Sequence, residues 1–329
     1  MSHSNISIFI PHIGCPCRCS FCNQVFITGK QEIPSEEDID KAVETALKSK
    51  RFDKNNAQLA FFGGSFTAID KDLMIKFLEI GKKHIDKKHI ESIRVSTRPD
   101  AIDDKILNIL KKYGVKSIEL GAQSMCDDVL VANNRGHLAK DVENACKLIK
   151  KHGFELGLQM MTGLYKSNAE KDLFTAKEFV KLTPEIVRIY PTVVLKNTLL
   201  EKLYTGGEYT PYSVDEAAKN GAELLKLFYD NSIKVIRFGL HTIDEESFVS
   251  GAFHPALSEM AQSYIYRDLI EKHNLNKGFY TVYVKNTELS KAIGQKKSNI
   301  KYFENKNIIL DIKSMENLKE YEIKIKERN

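Results

Sequence analysis

Two hydrophobic rhythms alternate along the chain. Short runs rich in β-branched and aromatic residues are followed by longer stretches whose apolar residues return every three or four positions. The first rhythm predicts strands and the second predicts amphipathic helices. Strands are expected at 6–10, 57–62, 92–96, 117–121, 154–160, 186–190 and 234–238. Helices are expected between them at 36–50, 70–85, 103–113, 140–152, 169–182 and 214–231. Ser35 is a fitting N-cap for the first helix, which carries acidic residues in its first turn and Ile39, Val43, Ala46 and Leu47 on its apolar stripe. Strand then helix, repeated six times, predicts an α/β fold with a parallel sheet and helices outside it. Such a sheet curls into a full or partial barrel. No G-x-G-x-x-G follows the first strand, so a dinucleotide-binding domain is not supported.

Beyond residue 240 the rhythm changes. Residues 241–275 are helical in pattern, with His254-Pro255 separating two segments. A strand is then expected at 279–284, a helical run at 287–293, a loop at Gly294-Gln295-Lys296-Lys297, a helix at 298–303 and a strand at 307–312. The expected organisation is therefore a barrel domain over 1–240, a helical extension over 241–275 and a small α+β module over 276–329.

Composition narrows the setting. Of 329 residues, 42% are apolar and 28% charged, an ordinary globular balance. No apolar run reaches the length of about eighteen residues that a transmembrane helix needs. The N-terminus lacks the basic start and apolar core of a signal peptide. A cytoplasmic protein without a membrane partner is expected. The net charge of +5 is unevenly placed. Residues 276–329 hold 12 Lys or Arg against 7 Asp or Glu, whereas the first 275 balance at 37 against 37. A polyanion partner for the tail competes with a Lys-rich solvated surface as the reason.

The chemistry begins at Gly14-Cys15-Pro16-Cys17-Arg18-Cys19-Ser20-Phe21-Cys22. Cys15, Cys19 and Cys22 stand in the spacing C-x3-C-x2-C. Three thiolates on so short a loop can hold three corners of an iron–sulfur cube and leave one iron open for chemistry. With Cys17 counted, four thiolates can instead make a zinc site, but zinc usually takes two separated pairs. Cys17 is then an extra thiol outside the ligand set. Six cysteines in a chain of this size do not form a disulfide framework.

In parallel α/β folds ligands sit at the C-terminal ends of the strands. Those ends carry Gly63-Gly64-Ser65-Phe66, Ser96-Thr97-Arg98-Pro99-Asp100, Glu119-Leu120-Gly121-Ala122-Gln123-Ser124, Met160-Met161-Thr162-Gly163-Leu164 and Arg188-Ile189-Tyr190-Pro191-Thr192. Arg135-Gly136-His137 follows in a loop. Taken singly, each is compatible with a tight turn or a core residue. Their recurrence at strand after strand is the signal.

The cysteine spacing, with Phe21 before the last cysteine, resembles the signature of the radical S-adenosylmethionine (SAM) superfamily. The strand-end motifs, in their order, are similar to those of the radical-SAM domain of the Elongator catalytic subunit over about residues 5–240. Thr205-Gly206-Gly207-x-Tyr209-x-Pro211-Tyr212-Ser213 also resembles that family. Oxygen-independent coproporphyrinogen oxidases share several motifs more loosely. The resemblance implies a partial (β/α)6 barrel, a 4Fe–4S cluster on Cys15, Cys19 and Cys22, and SAM on the open iron. It implies that Gly63, Gly64 and Ser65 receive the SAM amino group, that Glu119 and Gln123 lie near the ribose, and that Arg135 lies on the carboxylate side. Phe21 is implied beside adenine. Met160 either flanks adenine or is a core methionine. Arg188 and Tyr190 face the same rim, within reach of substrate; for Tyr190 the alternative is that it covers the barrel mouth. His241 and His254 are either acid/base groups or structural. An electron donor such as ferredoxin or flavodoxin is implied as a partner. Two departures are visible: Cys17 stands where relatives commonly have His, and no acetyltransferase domain is expected after residue 240.

The tail unit resembles a KH RNA-binding module, in which a G-x-x-G loop between two helices clamps the nucleic-acid backbone. Gly294, Gln295, Lys296 and Lys297 occupy that loop, with Lys297 in place of its last glycine. Together these readings imply a radical-SAM enzyme modifying tRNA or rRNA. The alternatives are a small-molecule substrate such as a porphyrin precursor, and an iron–sulfur RNA-binding sensor without turnover.

Overall fold

The computed structural model describes residues 4–11, 15, 18–23, 32–240, 243 and 245–328. His12, Gly14, Cys17 and His241 lie outside them. The chain opens with β1 (Ser4–Ile10), α1 (Glu36–Leu47), β2 (Ala57–Gly63), α2 (Lys71–Asp86), β3 (Ser92–Thr97), α3 (Asp104–Lys112) and β4 (Val115–Gln123). It continues with α4 (Asp127–Ala132), α5 (Ala139–Lys151), β5 (Glu155–Thr162), α6 (Ala169–Leu182), β6 (Ile186–Pro191), β7 (Val193–Leu195) and α7 (Leu199–Thr205). Then come α8 (Val214–Asp230), β8 (Lys234–Phe238), β9 (Phe248–Gly251) and α9 (Leu257–Glu271). The last elements are β10 (Gly278–Val284), α10 (Leu289–Ile293), α11 (Ser298–Glu304), β11 (Ile308–Ser314) and β12 (Ile323–Arg328).

Seven strands form one parallel sheet in the order β1-β2-β3-β4-β5-β6-β8. Register shifts at Ile93/Arg94, Gly121/Gln123 and Val187/Arg188 break the ladder at three places. Such irregularities increase local twist and help a sheet to curl. The fold is the expected partial (β/α)6 barrel. Its convex face meets the helices: Leu59, Phe61, Val95, Ile118, Leu158 and Ile189 belong to one large core with Phe77, Leu107 and Phe179. Ser35 opens α1 through a reciprocal capping box with Asp38. No helix among the described residues is long and apolar enough to cross a membrane.

The stretch expected to be helical over 241–275 is only partly so. Phe248–Gly251 forms β9 and pairs antiparallel with β7. The physical reason is local: Phe248 and Val249 are residues suited to strands, and Gly251 turns the chain away at φ 115°. Helix begins only at Leu257, after Pro255. That helix, α9, faces two cores. Leu257, Ala261 and Ile265 pack on the barrel, whereas Tyr266 and Ile270 pack under the C-terminal sheet with Tyr280, Val282, Phe303 and Leu310.

The small sheet has the order β11-β10-β12. β10 and β11 run parallel, and β12, which the sequence reading did not include, pairs antiparallel with β10. Ile323 and Ile325 point into the small core, and their Lys neighbours point out.

Ser213 starts α8 by another capping box. Its hydroxyl accepts from the Glu216 amide at 3.2 Å, and its own amide donates to Glu216 Oε2 at 2.8 Å. Replacing Ser213 by Ala should lower the unfolding free energy by about 1 kcal/mol. Urea titration checks this: the midpoint should fall while the slope stays constant.

Candidate active site at the mouth of the half-barrel

Strand alternation makes the concave face polar. Gln58, Arg94, Ser96, Ser117, Glu119, Gln159 and Arg188 stand on it, linked from strand to strand. Gln58 Nε2 donates to Ser92 and Ser117, and Arg94 Nε donates to Gln58 Oε1 at 2.7 Å. Glu119, 1% exposed, is the hub. Arg94 Nη1 reaches its Oε1 at 3.0 Å, Arg188 Nε its Oε2 at 2.7 Å, and Gln159 Nε2 the same Oε2 at 2.8 Å. Gly157 makes room for it: a Cβ there would stand 2.7 Å from Glu119 Cγ.

This corrects one expectation. Glu119 is taken up on both oxygens by two guanidiniums and an amide, so it holds the interior together and does not stand free for a ribose. Arg188 is committed to the same pair, with its guanidinium over the Phe62 ring. Tyr190 shares the face of Arg188, one step nearer the mouth. Burial holds its phenol above the ordinary range. Removing one partner of a buried pair leaves the others uncompensated. Glu119→Gln should therefore cost about 3 kcal/mol in denaturant unfolding, more than any single rim substitution.

Met160 is fully buried in the convex core. Alternation puts Gly157, Gln159 and Met161 on the concave side, so Met161 is the methionine at the mouth. Of the two alternatives for Met160 its burial fits the core methionine, and in the Met160-Met161 doublet the choice rests on parity alone.

The cysteine loop is pinned from two sides. Ser20, with no exposure, donates its backbone N–H to the Asn133 carbonyl at 3.1 Å and its hydroxyl to Asn133 Oδ1 at 2.6 Å. Leu200 N donates to the Ser20 carbonyl at 2.8 Å. Phe21 packs with Val194, Leu200 and Tyr209, where it anchors the loop. Cys15, Cys19 and Cys22 are each half-buried. Burial raises the Cys15 thiol, opposed by the Ser65 backbone hydrogen bond and by the charges of Arg98 and Arg135. The Arg135 guanidinium donates through Nη1 to Cys19 Sγ at 3.0 Å and through Nη2 to the Gly121 carbonyl at 2.5 Å.

The glycine turn lies beside these thiols. Gly63 has φ 111°, and a Cβ there would collide with the Ile10 carbonyl oxygen. Gly64 N donates to that oxygen at 3.1 Å. The Ser65 hydroxyl is spent on Thr97 Oγ1 and on the Arg98 amide, so it ties β2 to β3 and offers the site only its backbone. Arg98 is held bidentate by Asp100 and donates to the Arg135 carbonyl at 2.6 Å.

Among the described residues six buried side-chain polar atoms lack a partner: Gln123 Oε1, Arg135 Nε and His137 Nδ1 gather around the end of β4, and the others are Thr162 Oγ1, Thr192 Oγ1 and Asn220 Oδ1. Burial and then Arg135 push His137 down to about 4, so its ring is neutral near pH 7. Nε2–H donates to the Ala122 carbonyl at 3.2 Å, which leaves Nδ1 as an acceptor. Buried orphans of this kind mark a place where a polar ligand belongs.

Sequence reasoning missed Asn133, Arg94 and Asp172. Arg94 had a signal, the one charge inside a short buried strand, between Ile93 and Val95. Asp172 had one too, a carboxylate on the apolar stripe of α6. Asn133 had none. His254, expected as a candidate base, accepts the Ala256 N–H on Nδ1 at 3.1 Å just before α9 and so serves the backbone.

In the tail, Gly294 has φ 80°, and its Cβ position is blocked by Ser298 and Asn299. Lys296 and Lys297 both adopt left-handed backbone, at φ 52° and 63°. Lys297 thus holds the conformation for which a glycine would ordinarily be used. Gln295, Lys296, Lys297 and Lys301 are exposed, but Lys291 is paired with Glu288 at 3.0 Å.

Residues 9–179 match the Radical SAM superfamily and residues 184–267 its C-terminal domain. The chain belongs to the radical SAM superfamily. The tRNA uridine(34) acetyltransferase of Methanocaldococcus jannaschii is 30% identical over 183 residues, 50% of this chain and 34% of that protein. Human Elongator complex protein 3 is 33% identical over 138 residues, 41% of this chain and 25% of that protein. The chain therefore matches only a quarter to a third of the length of these two relatives. The solved structure of Methanocaldococcus infernus Elp3 lacking its N-terminal segment shares the fold, with a TM-score of 0.67 at 22% identity over 84% of this chain and 65% of that one. The protein is a radical SAM enzyme, and its cofactors are those of the superfamily, a 4Fe–4S cluster and SAM. The surroundings fit them: the Cys19 sulfur lies under the Arg135 guanidinium, a glycine turn stands beside it and orphaned polar atoms gather at one rim, although among the described residues the three thiols are not drawn together into a metal-holding group.

Beside the mouth, Asp172 is buried with no cation within ion-pair distance among the described residues. It accepts from Gly163 N, Ser167 Oγ, Tyr212 OH and Asn220 Nδ2. Burial raises it to about 6. A carboxyl whose folded value lies above its unfolded value, about 3.9, contributes most below pH 4 and loses that contribution as pH rises through 6. The stability advantage of the native protein over Asp172→Asn should shrink by about 2 kcal/mol between pH 4 and 7. Urea unfolding of both proteins across that range measures it, and an unchanged or growing advantage contradicts the assignment.

Proposed function

We propose that this enzyme modifies a nucleotide of RNA, tRNA first, by reductive cleavage of SAM. The likeness to tRNA uridine(34) acetyltransferases and to Elongator complex protein 3 carries the reading. When bound, the cluster and SAM supply one-electron cleavage chemistry and hydrogen-atom abstraction.

The chain's own residues divide the remaining work. Cys15, Cys19 and Cys22 hold the cluster. The Ser20–Asn133 clasp and the Phe21 anchor fix the loop that presents those thiols. Gly63 and Gly64 let the SAM amino group approach the backbone. Gln123 and Arg135 bring unspent polar atoms to the same rim. Glu119 holds the interior, and Met161 replaces Met160 as the side chain beside adenine. Tyr190, a neutral phenol next to Arg188, faces the place where substrate enters. A ferredoxin- or flavodoxin-type donor delivers the electron. The β10–α10–loop–α11–β11 order supports a KH-like role for Gly294, Gln295, Lys296 and Lys297 in gripping an RNA backbone.

Prepared without oxygen, the protein should be brown and release 5′-deoxyadenosine from SAM with a strong reductant, and Cys19→Ala should abolish both. Mass spectrometry of tRNA nucleosides from cells with and without the gene tests the substrate. A nucleoside that disappears with the gene supports the reading, and an unchanged nucleoside profile in every RNA class overturns it.

A further inference from the structure

The basic excess of the tail separates into two patches on different layers of the small module. One is the loop at Gly294–Lys297, on the side of α10 and α11. The other is the open face of the three-stranded sheet. Tyr280, Val282 and Val284 turn inward to the core, so their alternates Phe279, Thr281 and Tyr283 turn outward. Opposite them on β12 stand Arg328, Lys326 and Lys324, in register. On β11 stand Ile309, Asp311 and Lys313. The face thus carries four cations and one carboxylate.

Two features set it apart from a lysine-rich solvated surface. Phe279 is 60% exposed in the central strand, with Ile309 beside it at 39%. Asp311 is shared by Arg328 and Lys313, and Arg328 Nε also donates to Thr281 Oγ1 at 2.7 Å. Lys324 and Lys326 have no carboxylate within ion-pair distance among the described residues. An aromatic rail, Phe279 and Tyr283, therefore runs beside a cationic rail, Lys324, Lys326 and Arg328. Alternate residues on a strand repeat at about 7 Å, and neighbouring strands lie about 5 Å apart. Exposed aromatic rings flanked by a line of cations are the elements that bind an unpaired strand, with bases on the rings and phosphates on the cations. A duplex buries its base faces in its own stack and offers nothing for Phe279 to cover.

We propose that this sheet face is a docking surface for single-stranded RNA, distinct from the glycine loop on the helical side. The proposal rests on the RNA reading above and adds a second contact, which holds unpaired RNA while a nucleotide is presented at the barrel mouth. Because Phe279, Lys324 and Lys326 are exposed, their loss leaves the core untouched.

Fluorescence anisotropy with the full chain and a labelled single-stranded RNA oligonucleotide, against the same sequence annealed into a duplex, tests it. The native protein should prefer the single strand about tenfold or more. Phe279→Ala with Tyr283→Ala should weaken binding about tenfold or more. Lys324→Gln with Lys326→Gln should lower the slope of log affinity against log salt by about 1.4, and it keeps the test alive should the aromatic pair variant fail to fold. Lys296→Glu with Lys297→Glu provides the comparison. Native protein that binds no RNA sinks the RNA reading itself. Native protein that binds RNA, loses it only in the loop variant and is indifferent to the face variants overturns this proposal and leaves that reading standing. A face variant that converts a dimer to a monomer by light scattering, with RNA affinity unchanged, assigns the face to a second copy and also overturns it.

Discussion

A single buried carboxylate organises the interior. Glu119 lies between Arg94 and Arg188, and without it two guanidiniums would face each other across a dry sheet. Parallel sheets covered on both sides usually carry apolar residues on both faces. Here one face is apolar and the other is a chain of charged and amide groups. That chain is satisfied internally from Gln58 to Arg188, so the polarity deep in the half-barrel is consumed before it reaches the mouth. Among the described residues the unsatisfied buried atoms stand mostly at strand ends: Gln123 Oε1, Arg135 Nε and His137 Nδ1 around the end of β4, Thr162 Oγ1 at the end of β5 and Thr192 Oγ1 just past β6, with Asn220 Oδ1 in α8 the exception. The separation has a functional meaning. Polar atoms in the depth hold the curvature, and polar atoms at the rim are left for a ligand.

The rim is assembled from segments far apart in sequence, and each is held by something other than the groups it presents. Arg135 reaches Cys19 because its own carbonyl is held by Arg98, whose guanidinium is oriented by Asp100. The cysteine loop is positioned through Ser20, a residue with no cofactor chemistry of its own. A loop lacking secondary structure needs such external partners, because its ordering entropy is otherwise unopposed.

Much of this was legible in the sequence, and the failures follow a pattern. All seven strands of the main sheet were found, because burial on the helix side imposes a strong periodicity. The cysteine spacing and the strand-end polar residues were legible because chemistry demands particular residue types there. Parity within a doublet was not legible: Met160 and Met161 are the same residue, and only the pleat distinguishes core from mouth. Partner choice was not legible either. Glu119 and His254 looked available because a sequence does not show which donors will surround a carboxylate or a ring nitrogen. Strand β9 was missed because its pairing partner, β7, lies more than fifty residues earlier, and a strand of four residues has little signal of its own.

The run Thr205–Ser213 shows how far a motif can be from chemistry and still belong to the site. Its resemblance to the Elongator subunit suggested function, yet every described contact is a brace. Tyr209 OH donates to the Gly163 carbonyl, and Tyr212 donates to Asp172 while its ring covers Gly163 so closely that a side chain there would collide. Ser213 caps α8. Tyr209 also packs with Phe21, so the brace at the end of β5 and the anchor of the cysteine loop are one cluster. A disturbance of the buried Asp172 carboxyl has a short physical route to the thiols: through Gly163 to Tyr209, and from Tyr209 to Phe21. The end of β5 and the cysteine loop therefore share one packed cluster, which ties the placement of the thiols to the same contacts that hold Gly163.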